Sequence, residues 1–481
     1  MTLLVIDAGS SSVRALLLDE QAQPIAGALA QEPHTFTTDA AGASEADARH
    51  LQGLVESCLD AVLAHPAAVG IRAAGMAMFV GNVVGVGADG QPVTPLYTYA
   101  DTRCAPEVQA LAQQVDAADV HQRTGCPLHS AYYPARFAWL QRTRPHLWQP
   151  VHRWLDFGGY LYRQWFGVEV ASYSAAAWSG LLHRDTLTWD AAWCQALHLP
   201  ADRLPALHDY TAAQQGLRPE YARRWPALAA VPFFLAVGDG AAANVGSGAV
   251  DADSLALTVG TTAALRHRIP AGPYTVPPGL WCYRITAADL LPGGATFEGG
   301  NIFQWARQTF ALPPPPALEA ALGQMPAAAH GLTALPLLSG ERSPGWRQDA
   351  VGTLHGLRLA TTPLEILLAL LEGVGHRLAL VAQQIGRPEA AVFAGGGALV
   401  ASPAWAQILC NALNRPLHLL AEPEVTARGV GLLLLHALDH LPLRALPPRL
   451  AQTLHPQPDQ ADRLAAARLR QVALYARLYA P

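Results

Sequence analysis

Asp239 sits between Gly238 and Gly240 at the end of an apolar run, VPFFLAVGDG, so bare backbone on either side lets a ligand approach its carboxylate closely. A carboxylate so placed suits a general base that takes the proton of an alcohol; the alternative is an aspartate in an ordinary turn or helix cap. A second carboxylate, Asp7, ends another apolar run and is followed by Gly9, Ser10, Ser11 and Ser12. That region, residues 3–19, shares a pattern with residues 255–269. In each an apolar strand leads to a Gly-Ser/Thr-Ser/Thr turn, at Gly9 or at Gly260, Thr261 and Thr262, and the return strand goes from apolar to basic. Hydroxyls and backbone N–H groups at such turns form a donor-rich concavity for phosphate oxygens, and the glycines are expected to take the positive φ of a tight hairpin. Two hairpins would hold one polyphosphate from both sides, with Asp7 where a hydrated Mg2+ belongs. Phosphoryl transfer to a hydroxyl needs these parts: a base, a cation and donors on the phosphates.

Recurrence of the hairpin about half a chain apart predicts two related domains facing each other across a cleft, as does a length of 481 residues. The expected division is residues 1–250 and 251–481, each built on a mixed five-stranded sheet flanked by helices. Residues 1–90 alternate strand-like runs with a helix over 45–64, and residues 106–165 read as helical. Tyr132, Phe137, Trp139, Trp148 and Trp154 recur there at spacings that suit buried faces. Residues 172–190 read as a loop feeding a short hairpin and a helix, and residues 231–250 as a strand, a Gly-Asp-Gly turn and a helix start. The proline run after Leu312 reads as a surface connection. Helices are expected over 363–385, 403–413 and 460–479. The cluster Gly395, Gly396, Gly397 and Ala398, between a strand and a helix, admits a flat ring or a phosphate against bare backbone, or serves packing alone.

Composition excludes several classes. A net charge of −5 with scattered basic residues argues against nucleic acid and against a membrane surface. The chain contains no lysine, which excludes a Walker-A loop and Schiff-base chemistry. Its six cysteines are widely separated, without zinc-ligand spacing or a disulfide framework, so free thiols in a reducing cytoplasm are expected. No apolar run approaches bilayer-spanning length and no basic leader precedes the first strand; the expectation is a soluble, cytoplasmic protein.

Taken in order, DAGSSSVR, VGDGAAANVGSG, TVGTTAALR, GGNIFQW, LPLLSGERSPGW, GTLHGL and AGGGALVASPAWAQIL resemble the motif series of the FGGY carbohydrate kinases, over residues 1–435. The resemblance implies an α/β chain of two RNase H-like domains, of the actin/hexokinase ATPase type, with an interdomain cleft. It implies an ATP-dependent transfer to an alcohol group, with ATP and Mg2+ bound. Asp7 would act on Mg2+ through water, with Asp239 also near the metal and deprotonating the sugar hydroxyl. Residues 9–12 would meet the phosphates, and Thr261 and Thr262 with Gly300 and Gln304 would lie along the nucleotide. Gly396, Gly397, Ala398 and Leu399 would border the adenine. The tetrapeptide FGGY at residues 157–160 carries no weight, since the family name is an acronym; Asp156 reads as a helix start.

For the acceptor, relatives use a loop after the third or fourth strand and often carry Met-His or Arg-Glu there. Here AMFVGNVVGV leaves Asn82 as the polar contact. TYADTR, with Asp101 and Arg103, looks most like gluconokinases, as do SYSAAAWSGLL and the stretch from WCYRIT to EGGN. An aldonate carries a carboxylate suited to an arginine fork, for which Arg103 or Arg136 is the candidate, unless Arg103 only pairs with Asp101. His129, Tyr132 and Tyr133 are expected along the approach, with burial in the core as the alternative. A gluconate-type acid ranks first; a ketopentose such as xylulose or ribulose, or a polyol, ranks second. Rival readings are a catalytically silent binding protein and an ATPase whose ADP release ignores sugar. The expected partners are ATP and a small sugar or sugar acid, with a homodimer possible and neither nucleic acid nor membrane.

Overall fold

The two repeated runs fold into the same object. In the computed structural model, which describes residues 2–479, the first is the antiparallel hairpin β1 (Thr2–Ala8) and β2 (Ser12–Leu18), with Asp7 directly opposite Arg14. Met1, Ala480 and Pro481, at the outer ends of the two expected domains, lie outside the described residues. β3 (Pro24–Pro33) adds an outer edge, α1 (Ala48–Leu63) packs across β2 and β3, and β4 (Ile71–Met78) runs parallel to β1. β5 (Val237–Gly238) completes a five-stranded sheet in the order β5-β4-β1-β2-β3. β1 is buried along its whole length, which is why it reads as unbroken apolar sequence rather than alternation.

From β5 the chain passes directly into α2 (Asp239–Gly246). The second repeat follows as β6 (Ser254–Val259) and β7 (Ala263–His267), widened by β8 (Trp281–Thr286) and β9 (Asp289–Thr296). After α3 (Asn301–Thr309) and the long α4 (Pro363–Ile385), β10 (Ala391–Gly395) runs parallel to β6 as β4 does to β1. β11 (Leu417–Leu420), α5 (Val425–Asp439) and β12 (Leu450–Leu454) follow. The terminal helix, Pro458–Tyr479, packs on α4 and on the helix Pro403–Leu413. α4 starts at Pro363 because Thr362 and Glu365 form a reciprocal capping box, and ends at Gly386, which takes the left-handed conformation.

Several expectations are corrected. The second sheet has eight strands, not five, because β8, β12 and the short pair Ile269–Pro270 join it. β3 escapes sequence reading because an edge strand with Pro24 at its start, Gly27 at φ +75° and mostly exposed side chains carries little apolar signal. No Gly-Asp-Gly turn exists: Gly238, at φ −63°, caps α2 and Asp239 is its first residue. Neither Gly9 nor Gly260 takes positive φ. The hairpins close through Gly9 N–H to Ser12 O and Gly260 N–H to Thr262 O, each 2.9 Å. In the proline run, Pro315 opens the helix Pro315–Gln324, where a missing N–H costs nothing. Residues 173–177, read as loop, form the short helix Tyr173–Ala177.

α2 and α5 cross between the two sheets, and α5 also packs on β1 and β4. One apolar cluster therefore joins Leu3 and Val5 to Val245, Leu432 and Leu433. A chain segment beyond residue 250 thus seals the N-terminal sheet. Five of the six cysteines are buried and all are free thiols, and no described helix is long and apolar enough to cross a membrane.

Candidate active site

The parallel pairing of β5, β4 and β1 brings the ends of these strands to one edge of the N-terminal sheet, and Asp7 and Asp239 arrive there together. Asp239 opens α2, where the helix dipole favours its negative charge, and its Oδ1 accepts the N–H of Gly240 at 2.7 Å. Burial raises its pKa above the usual carboxylate value, opposed by Arg266, the Gly240 N–H and Arg342. Asp7 is pushed up to about 7, first by burial, then by the charges of Asp239 and Glu424, with Arg14 opposing. A raised pKa makes Asp239 a stronger proton acceptor than an ordinary carboxylate. Arg14 in turn pairs with Glu424 at 2.7 Å, tying the first hairpin to the N-terminus of α5.

A cavity of about 420 Å3 lies beside these groups, lined by Asp7, Arg14, Thr258, Gly396, Gly397 and Glu424 among others. The second hairpin borders it and is braced from behind. Gly300 N–H donates to Gly260 O at 2.7 Å, and a Cβ on Gly299 would stand 2.5 Å from the Thr262 carbonyl carbon. Gly396 needs to be glycine: its φ is +115° and a Cβ there would stand 2.3 Å from Val259 O. Ser10, Ser11 and Thr261 are exposed at the two hairpin tips.

The carboxylates Asp7 and Glu424 line this cavity with Arg14 between them, so negative charge exceeds positive there. That excess of negative charge fits a divalent cation. No cluster of three or more His, Cys, Asp or Glu side chains is arranged as a direct ligand set among the described residues. Asp7 and Asp239 would therefore hold Mg2+ mainly through its retained waters, and the ion would supply charge neutralisation on phosphate oxygens.

A smaller cavity of about 260 Å3 is lined by Tyr99, His129, Ser130, Phe297 and Glu341 among others. Tyr99 feels the charges of both Arg342 and Asp239, and burial pushes its phenol pKa up. Burial holds His129 down at about 3, with Arg342 adding to the effect, so its ring is neutral. Asp239 thus acts electrostatically on both cavities, through Asp7 in the larger and Tyr99 in the smaller.

The N-terminal domain of the FGGY family of carbohydrate kinases matches residues 2–246, and its C-terminal domain matches residues 254–438. The chain belongs to the FGGY family of carbohydrate kinases. It is therefore a sugar phosphotransferase of a family that uses ATP as phosphate donor. The gluconokinase of Bacillus subtilis is 25% identical over 451 residues, covering 90% of this chain and 87% of that protein. The xylulose kinase of Escherichia coli is 29% identical over 420 residues, covering 84% of each. Among solved structures, the gluconate kinase of Lactobacillus acidophilus superposes with a TM-score of 0.90 at 24% identity, covering 100% of this kinase and 98% of that chain.

The residues expected at the acceptor of this kinase are the ones the structure redistributes. Asn82 is fully buried, donating to Phe79 O and accepting the Phe157 N–H at 2.7 Å, so it pins two chain segments together. Tyr133 donates its hydroxyl to Asn82 O. Asp101, 1% exposed, is held by Arg103, and Arg103 also pairs with Glu45. Arg136 gives its guanidinium to the carbonyls of Gly81, Thr98 and Ser130. None of these five groups is free to meet a sugar, and neither expected arginine is a carboxylate fork. Tyr132 bonds Tyr283 between hydroxyls at 2.6 Å in the core, as the packing alternative has it. Phe137, Trp148 and Trp154 pack together as an aromatic set, with Phe137 and Trp154 centroids 4.8 Å apart.

On the nucleotide side, Leu399 turns into the core and Ala398 packs toward Gly300, while Val400 and Ala401 line the cavity in their place. Gln304 is exposed on α3 and is not among the cavity's lining residues. Tyr99, Arg266, Arg342 and Glu424 were not singled out from sequence. Only Arg266 left a signal, as the basic end of the repeated hairpin.

Proposed function

We propose that this kinase transfers the γ-phosphoryl group of Mg·ATP to a hydroxyl of a sugar acid, an aldonate of the gluconate type, with Asp239 as general base. The observation that carries the reading is the position of Asp239, first residue of α2, whose charge acts both on Asp7, which lines the larger cavity, and on Tyr99, which lines the smaller one. In the step, the acceptor O–H gives its proton to the Asp239 carboxylate as its oxygen bonds to the γ-phosphorus. The bond from that phosphorus to the bridging oxygen breaks and ADP leaves with the electron pair. The hairpin hydroxyls and N–H groups at residues 9–12 and 260–262, with Arg14, hold the phosphates on either side of the reacting centre. Closure of the two domains would exclude water that competes with the sugar hydroxyl.

A ketopentose acceptor is the second reading, favoured by the 29% identity to a xylulose kinase. ADP release in the presence of Mg·ATP, measured across gluconate, other aldonates, ketopentoses, pentitols and glycerol with Asp239→Asn as the blank, separates the two. Release stimulated by an aldonate and absent in the variant supports the first reading; release driven by a ketopentose supports the second. Release independent of every sugar would overturn both.

A further inference from the structure

Most arginines near the cleft are committed. Arg14 has Glu424, Arg103 has Asp101 and Glu45, and Arg136 has three carbonyls. Arg266 and Arg342 differ. Among the described residues the Arg342 side chain makes no hydrogen bond or ion pair, and the Arg266 side chain makes only the bond from Nη1 to Thr258 Oγ1 at 3.2 Å. The Nε atoms of both are buried without a partner. Unpaired guanidinium groups in a water-poor site are costly, so this is a place built for an anion that arrives with a ligand.

Both charges act on Asp239, and Arg342 packs over Phe297, which lines the smaller cavity. A Cβ on Gly240 would stand 3.2 Å from Nε and Nη2 of Arg266, so glycine at that position gives the guanidinium its place beside the base. Arg342 lies over the rings of Trp281, Phe297 and Trp346, its central carbon 5.1, 5.6 and 6.0 Å from their centroids, which fixes its plane in advance. The neighbouring Glu341 offers it nothing, being taken by Arg377 and Tyr475. Burial pushes Arg266 down to about 10; Asp239 opposes the shift and the like charge of Arg342 adds to it. One aspartate thus serves two guanidinium groups, and a further negative charge is wanted.

We propose that Arg266 and Arg342 together receive a carboxylate on the acceptor, making the site selective for sugar acids over neutral sugars. The proposal rests on the reading that Asp239 is the base for an acceptor bound in this pocket. It replaces Arg103 and Arg136 as the carboxylate fork and names a specificity device rather than a catalytic group.

The test compares gluconate with gluconamide, its neutral isostere, in the full-length enzyme. Both KM and kcat are measured with Mg·ATP, and binding is measured by calorimetry without ATP. Arg266→Gln and Arg342→Gln are read beside Arg342→Lys, with melting curves to establish folding. The wild type is expected to bind gluconate about 10- to 100-fold more tightly than gluconamide, the range of a charge-assisted hydrogen-bonded contact. Each Gln variant should lose most of that difference through KM, with kcat for gluconate and KM for ATP little changed, and Arg342→Lys should recover part of it. Equal wild-type affinity for gluconate and gluconamide overturns the proposal even if the Gln variants do not fold. So does a rise confined to the KM of ATP, which would assign the pair to the nucleotide phosphates. If no acceptor is phosphorylated, the kinase reading of this site fails separately. Calorimetry then still decides the pair: gluconate binding that Arg342→Gln abolishes sustains it, and no gluconate binding removes it.

Discussion

Gly246 and Gly429 face each other where α2 crosses α5. A Cβ on Gly246 would stand 1.8 Å from Val425 O, and one on Gly429 1.8 Å from Ala242 O. Bare backbone lets the two helices touch, and through them the helix that carries Asp239 is held against the one that begins beside Glu424. Gly429→Ala must push the helices apart; overpacking of this kind costs about 1–3 kcal/mol. The expected outcome is a lower Tm, with turnover reduced further than sugar binding because Asp239 moves with α2.

Asp239→Asn keeps the shape of the side chain and removes its capacity to accept a proton. Turnover should fall by about 100- to 10,000-fold, the usual worth of a positioned general base. Calorimetric binding of the acceptor should persist. Near-normal turnover would remove Asp239 from its assigned role.

Asp7 predicts an unusual pH dependence. Its pKa is raised from 3.8 to about 7 in the folded protein, so the native state holds a proton that the unfolded chain has released. The stability this contributes is fully present below 3.8 and is lost as pH rises through about 7. Asp7→Asn stays neutral throughout, so without Mg2+ its Tm at about pH 8 should exceed that of the wild type, by an equivalent of ~1–4 kcal/mol. The two should converge near pH 4. Turnover of the variant should fall at the same time, and opposite movement of stability and activity is the signature to look for. Parallel Tm curves from about pH 4 to pH 8 would contradict it.

Gly396→Ala puts a side chain where φ is +115° and Val259 O is 2.3 Å away. Strain of about 1–3 kcal/mol should displace the turn that lines the nucleotide cavity. ADP affinity should drop about tenfold or more, ~1.4 kcal/mol per factor of ten, while acceptor binding is unmoved.

Arg103→Ala distinguishes a structural arginine from a substrate one. It strands Asp101 in the interior without its cation, at a cost of about 3–5 kcal/mol. Melting temperature should fall sharply, yet the folded fraction should keep the KM of the wild type for its acceptor. A selective rise in that KM would restore Arg103 to the sugar site.

Much of the architecture was legible because its causes are local. A capping box sets the start of α4 from Thr362 and Glu365, three residues apart in one turn, and apolar periodicity carries the helix to Ile385. The two hairpins announce themselves through glycine and hydroxyl residues beside fully buried strands. β3 and the added strands of the second sheet stayed hidden because edge strands owe their existence to a neighbour's unpaired backbone rather than to their own pattern.

The sequence by itself determined the paired hairpins, the glycine-flanked Asp239 and the order of motifs between them, since backbone freedom and hydrogen-bonding groups at a turn act over a few residues. Only the tertiary structure decided which arginine is free. Arg103 is neutralised by Glu45, 58 residues away, and Arg136 by carbonyls of two other segments as well as its own neighbourhood. Arg266 and Arg342 meet beside Asp239 because β7 and an aromatic stack from β8 and its surroundings converge there. Charge acts through space, and a chain read residue by residue does not say which charges will face one another.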